Sequence, residues 1–311
     1  MENSKPPFAE LFEPTITYPD PEIRNRLGLL VGLDDTKETI KKILSLLVNP
    51  NGVKLWADKH HKGADQILNF VTRRPPLIVL AGDVGSGKSE LAYTIGDAVA
   101  RQENINVELF PLSLATRGNG RVGQMTELIS AAFCYTLDRA KKLKNETGKS
   151  RGAVILLVDE ADALAQSREN DQMHHEDKAG VNAFIRGIDS LGNGKFPAAV
   201  IMCTNRPNSL DPAIRRRAAE IVYFKRPNDE ARHSVLDEPL AELGFTEKQI
   251  AEIVKLTGPR HGLQYGFTFS DLVQRLLPAF VLDAYPDNAI DSQRAIAITK
   301  SMLPTPPFKE A

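Results

Sequence analysis

One eight-residue run constrains this chain more than any other feature: Gly82-Asp83-Val84-Gly85-Ser86-Gly87-Lys88-Ser89. It follows the apolar residues 77–81, which have the pattern of a buried strand. A glycine-rich turn between a strand and a helix is typical of a phosphate-binding loop, because its backbone N–H groups point at a polyphosphate. Lys88 is predicted to reach the β- and γ-phosphates, and Ser89 to bind Mg²⁺. We therefore expect each of these eight residues, and Glu90 after them, to line a nucleotide site.

A second apolar strand, residues 154–158, ends in two acids, Asp159 and Glu160. Asp159 is predicted to hold Mg²⁺ through water, and Glu160 to orient and deprotonate the water that attacks the γ-phosphate. The strand at residues 198–203 is followed by Asn205, which we expect to help fix that water. A second acid directly after the metal-binding acid favours hydrolysis over phosphorylation of a small molecule.

Three consecutive arginines, Arg215, Arg216 and Arg217, follow this strand. Such a run is more often a solvated cluster. A short helix at this place is also where a hydrolase presents an arginine to the γ-phosphate held by a neighbouring subunit. Arg216 and Arg217 are the candidates for that catalytic role.

The order of apolar and amphipathic segments predicts an α/β fold, in which a parallel sheet is covered by helices on both faces. We expect strands at residues 77–81, 107–110, 154–158, 198–203 and 221–224, and helices at 34–47, 88–99, 122–143 and 181–191. After residue 228 the pattern is helical only, at residues 230–243, 247–256, 270–282 and 292–302. The predicted domains are an N-terminal arm (1–25), a large α/β domain (26–227), a small helical domain (228–303) and a tail (304–311).

The N-terminal arm contains five prolines within its first 21 residues, which favours an extended segment over a folded element. Two interpretations remain open. The arm is either a disordered tail, or it docks on a neighbouring subunit through Phe8, Phe12 and Tyr18.

The composition excludes several classes of protein. A formal net charge of -1 gives no electrostatic footprint for nucleic acid. Two cysteines, one of them in an apolar run, indicate a reducing compartment. The first residues lack the pattern of a signal peptide, and no apolar run approaches the length of about 20 residues that a membrane span requires. We expect a cytoplasmic protein without a membrane partner.

With these motifs the chain resembles the AAA+ ATPases. Gly82 to Ser89 is similar to their Walker A motif, residues 155–160 to Walker B, and Asn205 to sensor 1. Residues 210–215 resemble the segment that leads to the arginine fingers. Val31 and Gly32 resemble the segment whose backbone contacts adenine. The resemblance implies a ring, usually a homo-hexamer, with ATP or ADP and Mg²⁺ at the subunit interfaces and a helical lid domain.

Two segments, residues 112–125 and 216–221, are similar to the pachytene-checkpoint ATPases, which remodel HORMA-domain proteins. Bacterial relatives of that group accompany nucleotidyltransferase-based antiphage (CBASS) systems and pull the HORMA protein off the synthase. The resemblance therefore implies a HORMA-domain protein, with its nucleotidyltransferase, as the client of the ring.

The chain departs from the AAA+ pattern at the central pore and at sensor 2. The first pore loop of rings that thread protein carries an aromatic residue, whereas here it has Arg117, Gly118, Asn119 and Arg121. His174 and His175 fall where a second pore loop is expected, although an exposed histidine pair explains them as well. Sensor 2 has Ser270 and Asp271 in place of the expected arginine, which leaves Arg260 or Arg275 as substitutes.

Two other functions remain open at this point. A nucleic-acid-directed AAA+ motor or loader would show hydrolysis stimulated by DNA, and the charge of -1 disfavours it. A nucleotide switch without motor activity is disfavoured by the acid pair Asp159 and Glu160. The motifs also fit an AAA+ remodeller of another protein client.

Overall fold

The computed structural model describes residues 7–113, 124–146, 149–162, 175–192, 194–208, 210–260 and 262–308, without the side chains of residues 124 and 175–177. These residues form two compact units. The first, an α/β unit, contains residues 7–27, 35–81 and 89–223. The second, a helical unit, contains residues 28–34, 82–88 and 224–308. Each unit is described by itself below.

A six-stranded sheet organises the α/β unit. Its strands are β1 (Ile16–Tyr18), β2 (Leu77–Gly82), β3 (Asn106–Pro111), β4 (Gly152–Val158), β5 (Ala198–Thr204) and β6 (Ala218–Phe224), in the order β1-β3-β4-β5-β2-β6. The pairs β3–β4, β4–β5 and β2–β5 are parallel, whereas β1 runs antiparallel to β3. Every residue of β2, β4 and β5 is buried, as expected of apolar strands in a sheet covered on both faces. The predicted parallel-dominated α/β sheet is confirmed.

The helices that accompany the sheet are α1 (Phe8–Leu11), α2 (Pro21–Gly28), α3 (Asp34–Val48), α4 (Pro50–His60), α5 (Asp65–Thr72), α6 (Lys88–Glu103), α7 (Gln124–Leu143), α8 (His175–Leu191) and α9 (Pro212–Arg215). In the core, α7 packs against α8, and the buried rings of Phe133 and Phe184 meet edge to face with centroids 5.6 Å apart. The sequence analysis did not predict α4 and α5. Pro50 begins α4, since proline fits the first turn of a helix.

The helical unit contains α10 (Asp229–Glu242), α11 (Glu247–Thr257), a π-helix (Asp271–Leu276), α12 (Leu277–Ala284) and α13 (Ser292–Ser301). Its core holds the buried side chains of Leu236, Ile253, Phe267 and Phe280. The π-helix precedes Pro278, which has no N–H to donate to the preceding turn. The backbone N–H of Leu277 donates to the carbonyl oxygen of Leu272, five residues earlier, which is the hydrogen bond of a π-helix. Within the described residues, no helix is both long and apolar enough to cross a membrane.

The N-terminal segment differs from the extended arm that its prolines suggested. Strand β1 hydrogen-bonds to β3 of the same chain, and Phe8 and Phe12 pack on Phe110, with centroids 5.3 and 5.2 Å from its ring. Tyr18 is fully buried, and its hydroxyl donates to the Tyr93 carbonyl at 2.6 Å. Neither a disordered tail nor docking on a neighbour describes residues 7–18. The prolines are tolerated because Pro14 and Pro19 flank β1, where no ladder N–H is lost.

The contact between Tyr18 and α6 predicts a measurable loss of stability. Gly96 on α6 has no Cβ, and an added one would overlap the Tyr18 ring. We expect Gly96→Val to lower the free energy of unfolding by about 1–3 kcal/mol, the usual range for overpacking a core. Urea denaturation measures the effect. Gly28→Ala is the control, because nothing lies within 4 Å of the Cβ it adds. Equal stability of the two variants would show that Tyr18 does not hold the N-terminal strand in place.

Candidate functional site

The phosphate loop lies in the helical unit and has the backbone that its glycines predict. Gly82, Gly85 and Gly87 have φ angles of 149°, 70° and 94°. A Cβ on Gly85 would lie only 2.8 Å from the Thr268 hydroxyl oxygen, so no larger residue fits there. The Lys88 ammonium is buried and donates to the carbonyl oxygens of Gly82 at 3.0 Å and Asp83 at 2.6 Å. The predicted phosphate-contacting amine therefore lies inside the loop.

Other predicted nucleotide contacts lie in the same unit. Ser86 is buried and donates to the Asp83 carbonyl at 2.7 Å, while Val84 is 41% exposed. Val31 packs against the core of the helical unit. Gly32 has a φ of 77°, and a Cβ added there would lie 3.1 Å from the Cβ of Ala231. The segment with Val31 and Gly32 also adjoins the loop, since a Cβ on Gly87 would lie 3.3 Å from Leu33.

The predicted metal and catalytic acids lie in the α/β unit, at the end of β4. The Ser89 hydroxyl donates to the Asp159 carboxylate at 3.1 Å, which brings together the two predicted magnesium ligands. Glu160 adopts a left-handed backbone with a φ of 49°, and its N–H donates to the Asp159 carboxylate at 2.9 Å. A non-glycine residue in that conformation stores strain of about 1 kcal/mol or more, which is typical of functional positions. Among the described residues, none binds the Glu160 carboxylate.

Asp162, which the sequence analysis missed, holds the predicted sensor residue Asn205. One Asp162 oxygen accepts from the Asn205 backbone N–H at 2.7 Å and from the Thr204 hydroxyl at 2.8 Å. The other accepts from the Asn205 side-chain amide at 3.2 Å. Thr204 ends β5, and Asp162 follows β4, its neighbour in the sheet. The only sequence signal was a third acid two residues after Glu160.

The three arginines have different environments. Arg215 donates to the carbonyl oxygen of Pro207 at 2.8 Å, so its guanidinium supports the chain before α9. Arg217 binds both oxygens of Asp189 on α8, at 2.6 and 2.8 Å. This hydrogen-bonded pair raises the pKa of the Arg217 guanidinium above its usual value. The side chain of Arg216 is exposed and makes no hydrogen bond or ion pair with the described residues, whereas its backbone N–H donates to the Pro212 carbonyl at 3.1 Å. Of the two candidate fingers, Arg216 is therefore the one whose side chain is not already bound.

Three further candidate residues make other contacts. Glu90, expected to line the nucleotide site, forms a two-point ion pair with Arg26, with both distances 2.9 Å. Of the sensor 2 substitutes, Arg260 donates to the carbonyl of Met302 at 2.9 Å, and Arg275 donates to Asp271 at 2.6 Å. Burial alone would raise the pKa of Asp271, but hydrogen bonds from Thr268, Thr305 and Arg275 outweigh it and lower that pKa.

Five of the six predicted pore residues, Arg117, Gly118, Asn119, Arg121 and His174, lie outside the described residues. His175 is the first residue of α8, and its side chain is not among those described.

Comparisons with known proteins show which family the chain is similar to. Residues 78–226 match the ATPase family associated with various cellular activities (AAA). CD-NTase-associated protein 6 of Escherichia coli (strain MS 115-1) is 62% identical over 306 residues, which are 98% of this chain and 98% of that protein.

Two solved structures are similar over almost the whole chain. A chain of the E. coli MS115-1 HORMA:CdnC:Trip13 complex is 60% identical with a TM-score of 0.91, covering 98% of this chain and 100% of that one. Rhizobiales Trip13 is 56% identical with a TM-score of 0.75, covering 96% and 100%. The phosphate loop, the acids after β4 and this likeness over nearly the full length lead to one conclusion: the chain belongs to the AAA ATPases, in the family of CD-NTase-associated protein 6.

Proposed function

We propose that this chain hydrolyses ATP with Mg²⁺ and uses the energy to remodel a HORMA-domain protein bound to a nucleotidyltransferase in bacterial CBASS antiphage signalling. The observation that carries the proposal is the contact between Ser89 and Asp159, directly after the Lys88 loop and directly before Glu160. It occurs in a chain that is 60% identical to one found in a HORMA:CdnC:Trip13 complex.

The residues present fit a magnesium–ATP complex. Lys88 is a buried cation inside a loop of backbone N–H groups, which suits the β- and γ-phosphates. The Ser89 hydroxyl and the Asp159 carboxylate offer oxygen ligands, which Mg²⁺ prefers. When bound, Mg²⁺ would neutralise charge on the phosphate oxygens. The hydrogen bond between Ser89 and Asp159 holds both oxygens in place before metal arrives.

In the proposed reaction Glu160 is the general base. It accepts a proton from the attacking water, while Lys88 stabilises charge on the phosphate oxygens. The Asn205 amide positions the water, and Asp162 fixes the conformation of Asn205 through the contacts at 2.7 and 3.2 Å. Asp162 is thus a positioning residue, which acts through Asn205.

We further propose that the chain works as a homo-hexameric ring in which Arg216 acts on ATP bound by the neighbouring subunit. The exposed guanidinium of Arg216 supports this role, whereas Arg217 is held by Asp189 of its own subunit. A guanidinium adds charge stabilisation that the subunit holding ATP does not itself supply.

The first prediction separates ATP binding from turnover. Lys88→Ala removes the phosphate-contacting amine and should abolish ATP binding, whereas Glu160→Gln keeps the loop and should bind ATP without hydrolysing it. Calorimetric titration and phosphate release measure the two steps. Glu242→Gln, an exposed glutamate of α10, is the control with wild-type values. Unchanged phosphate release by Glu160→Gln would exclude Glu160 as the base.

The second prediction concerns the two arginines. Arg216→Ala should retain ATP binding and lose hydrolysis by about 10³-fold, the scale of an arginine finger. Arg217→Ala should lose less activity and more stability, because it leaves Asp189 without its ion-pair partner. Mixing the two inactive variants Arg216→Ala and Lys88→Ala tests whether Arg216 acts on a neighbouring subunit. The mixture should recover part of the ATP hydrolysis, since some interfaces then combine an intact phosphate loop with an intact arginine finger. No recovery, once subunit exchange is confirmed, would contradict action between subunits.

The third prediction tests which protein is the client and whether the loop with Arg117 and Arg121 holds it. With a HORMA-domain protein bound to its nucleotidyltransferase, the wild-type chain and ATP should separate the two, and Glu160→Gln should not. Charge reversal at Arg117 or Arg121 should reduce separation while hydrolysis continues, because a loop without an aromatic residue depends on these side chains and its backbone for grip. Separation and phosphate release are measured in the same sample. Wild-type separation by both variants would exclude this loop as the grip.

A further inference from the structure

The phosphate loop contains the carboxylate of Asp83 at its second position, where a negative charge disfavours the binding of phosphate. The backbone carbonyl of Asp83 accepts from the Lys88 ammonium at 2.6 Å, so the residue lies close to the amine that is proposed to meet the phosphates. A negative side chain at that place repels a polyphosphate. Only 18% of the Asp83 side chain is exposed, so water screens that charge poorly.

Arg226 lies against this carboxylate in the same unit. Its Nε and Nη2 atoms lie 2.7 and 2.6 Å from Oδ2 of Asp83, and only 14% of the Arg226 side chain is exposed. The guanidinium also donates to the Gly266 carbonyl at 2.7 Å and lies over the Tyr265 ring, 4.9 Å from its centroid. These contacts leave Arg226 little freedom to move away. It is a built-in countercharge for Asp83.

Backbone groups direct the other oxygen of Asp83. Its Oδ1 accepts from the N–H of Val84 at 2.8 Å and from the N–H of Phe308 at 3.2 Å. The C-terminal segment that carries Phe308 is itself held where Thr305 donates to Asp271, at 2.6 and 3.0 Å. The sequence analysis treated residues 304–311 as a tail, whereas residues 305 and 308 are bound to the helical unit and its loop.

We propose that Arg226 neutralises Asp83, and that this pairing allows the loop to accept the phosphates of ATP. Arg226 is thereby a positioning residue for nucleotide binding. The inference rests on the proposed binding of ATP at this loop. According to this inference, ATP binding requires Arg226 only because Asp83 is negatively charged.

A purely structural role for Arg226 makes a different prediction. If Arg226 only braced the loop, removing Asp83 as well would not help, because the brace would still be missing. If Arg226 compensates charge, a neutral residue at position 83 removes the need for it. Asparagine is suitable, since its side-chain oxygen can still accept from the Val84 N–H.

The experiment is a titration of ATP and Mg²⁺ into the full-length chain by calorimetry, with Glu160→Gln in every sample to prevent turnover. Arg226→Gln should raise the Kd for ATP by about tenfold or more, the scale of one unscreened like charge nearby. Adding Asp83→Asn to Arg226→Gln should lower the Kd again by most of that factor. Arg294→Gln is the matched control. It breaks another arginine–aspartate pair of the helical unit, with Asp283, and should keep the starting affinity.

The outcomes separate this inference from the proposed function. If the Glu160→Gln chain binds no ATP, ATP binding at this loop fails and the inference fails with it. If it binds and Arg226→Gln binds equally well, or if the double change binds no better than Arg226→Gln alone, charge compensation is overturned. Should Arg226→Gln fail to fold, Arg226→Lys replaces it, because it keeps the charge without the two-point geometry. Arg226→Lys must then stay within about tenfold of the starting affinity, and a larger loss overturns the inference.

Discussion

The parallel pairing of β4 with β5 is the constraint on which the proposed catalytic residues of the α/β unit depend. Both strands are buried along their whole length, and parallel pairing brings their carboxyl ends to one edge of the sheet. The acids after β4 therefore meet the polar residues after β5. The pairing continues past the strands, where the N–H of Ala161 donates to the carbonyl of Cys203 at 2.9 Å. That bond fixes the turn in which Glu160 and Asp162 lie.

The sequence predicted the parts of the site that are encoded in short segments. The phosphate loop follows from glycine spacing after an apolar strand, and the two acids proposed for catalysis follow from their place at the end of another. Such patterns depend on a backbone of one strand and one turn, so neighbouring residues suffice to predict it. The sheet was also predictable, because buried parallel strands require continuous apolar runs. The roles assigned to Ser89, Asp159 and Glu160 remain predictions that the experiments above test.

What the sequence could not predict depends on contacts between distant residues. Arg226 and Asp83 are 143 positions apart, and Thr204 and Asp162 are 42 apart. No periodicity signals such a pair, since many arginines and aspartates occur in the chain. The prediction for the N-terminal segment was wrong for a related reason. Proline content described its local stiffness, whereas its place was decided by aromatic packing on β3 and α6, far along the sequence.

The left-handed backbone of Glu160 sets the stability of the fold against the proposed activity at a single residue. Glycine would adopt a φ of 49° without strain, so the fold alone would favour glycine at this position. The proposed chemistry requires a carboxylate there instead. Selection for thermal resistance alone would therefore remove the proposed catalytic base, and a stabilised variant of this chain would have to gain its stability away from the end of β4.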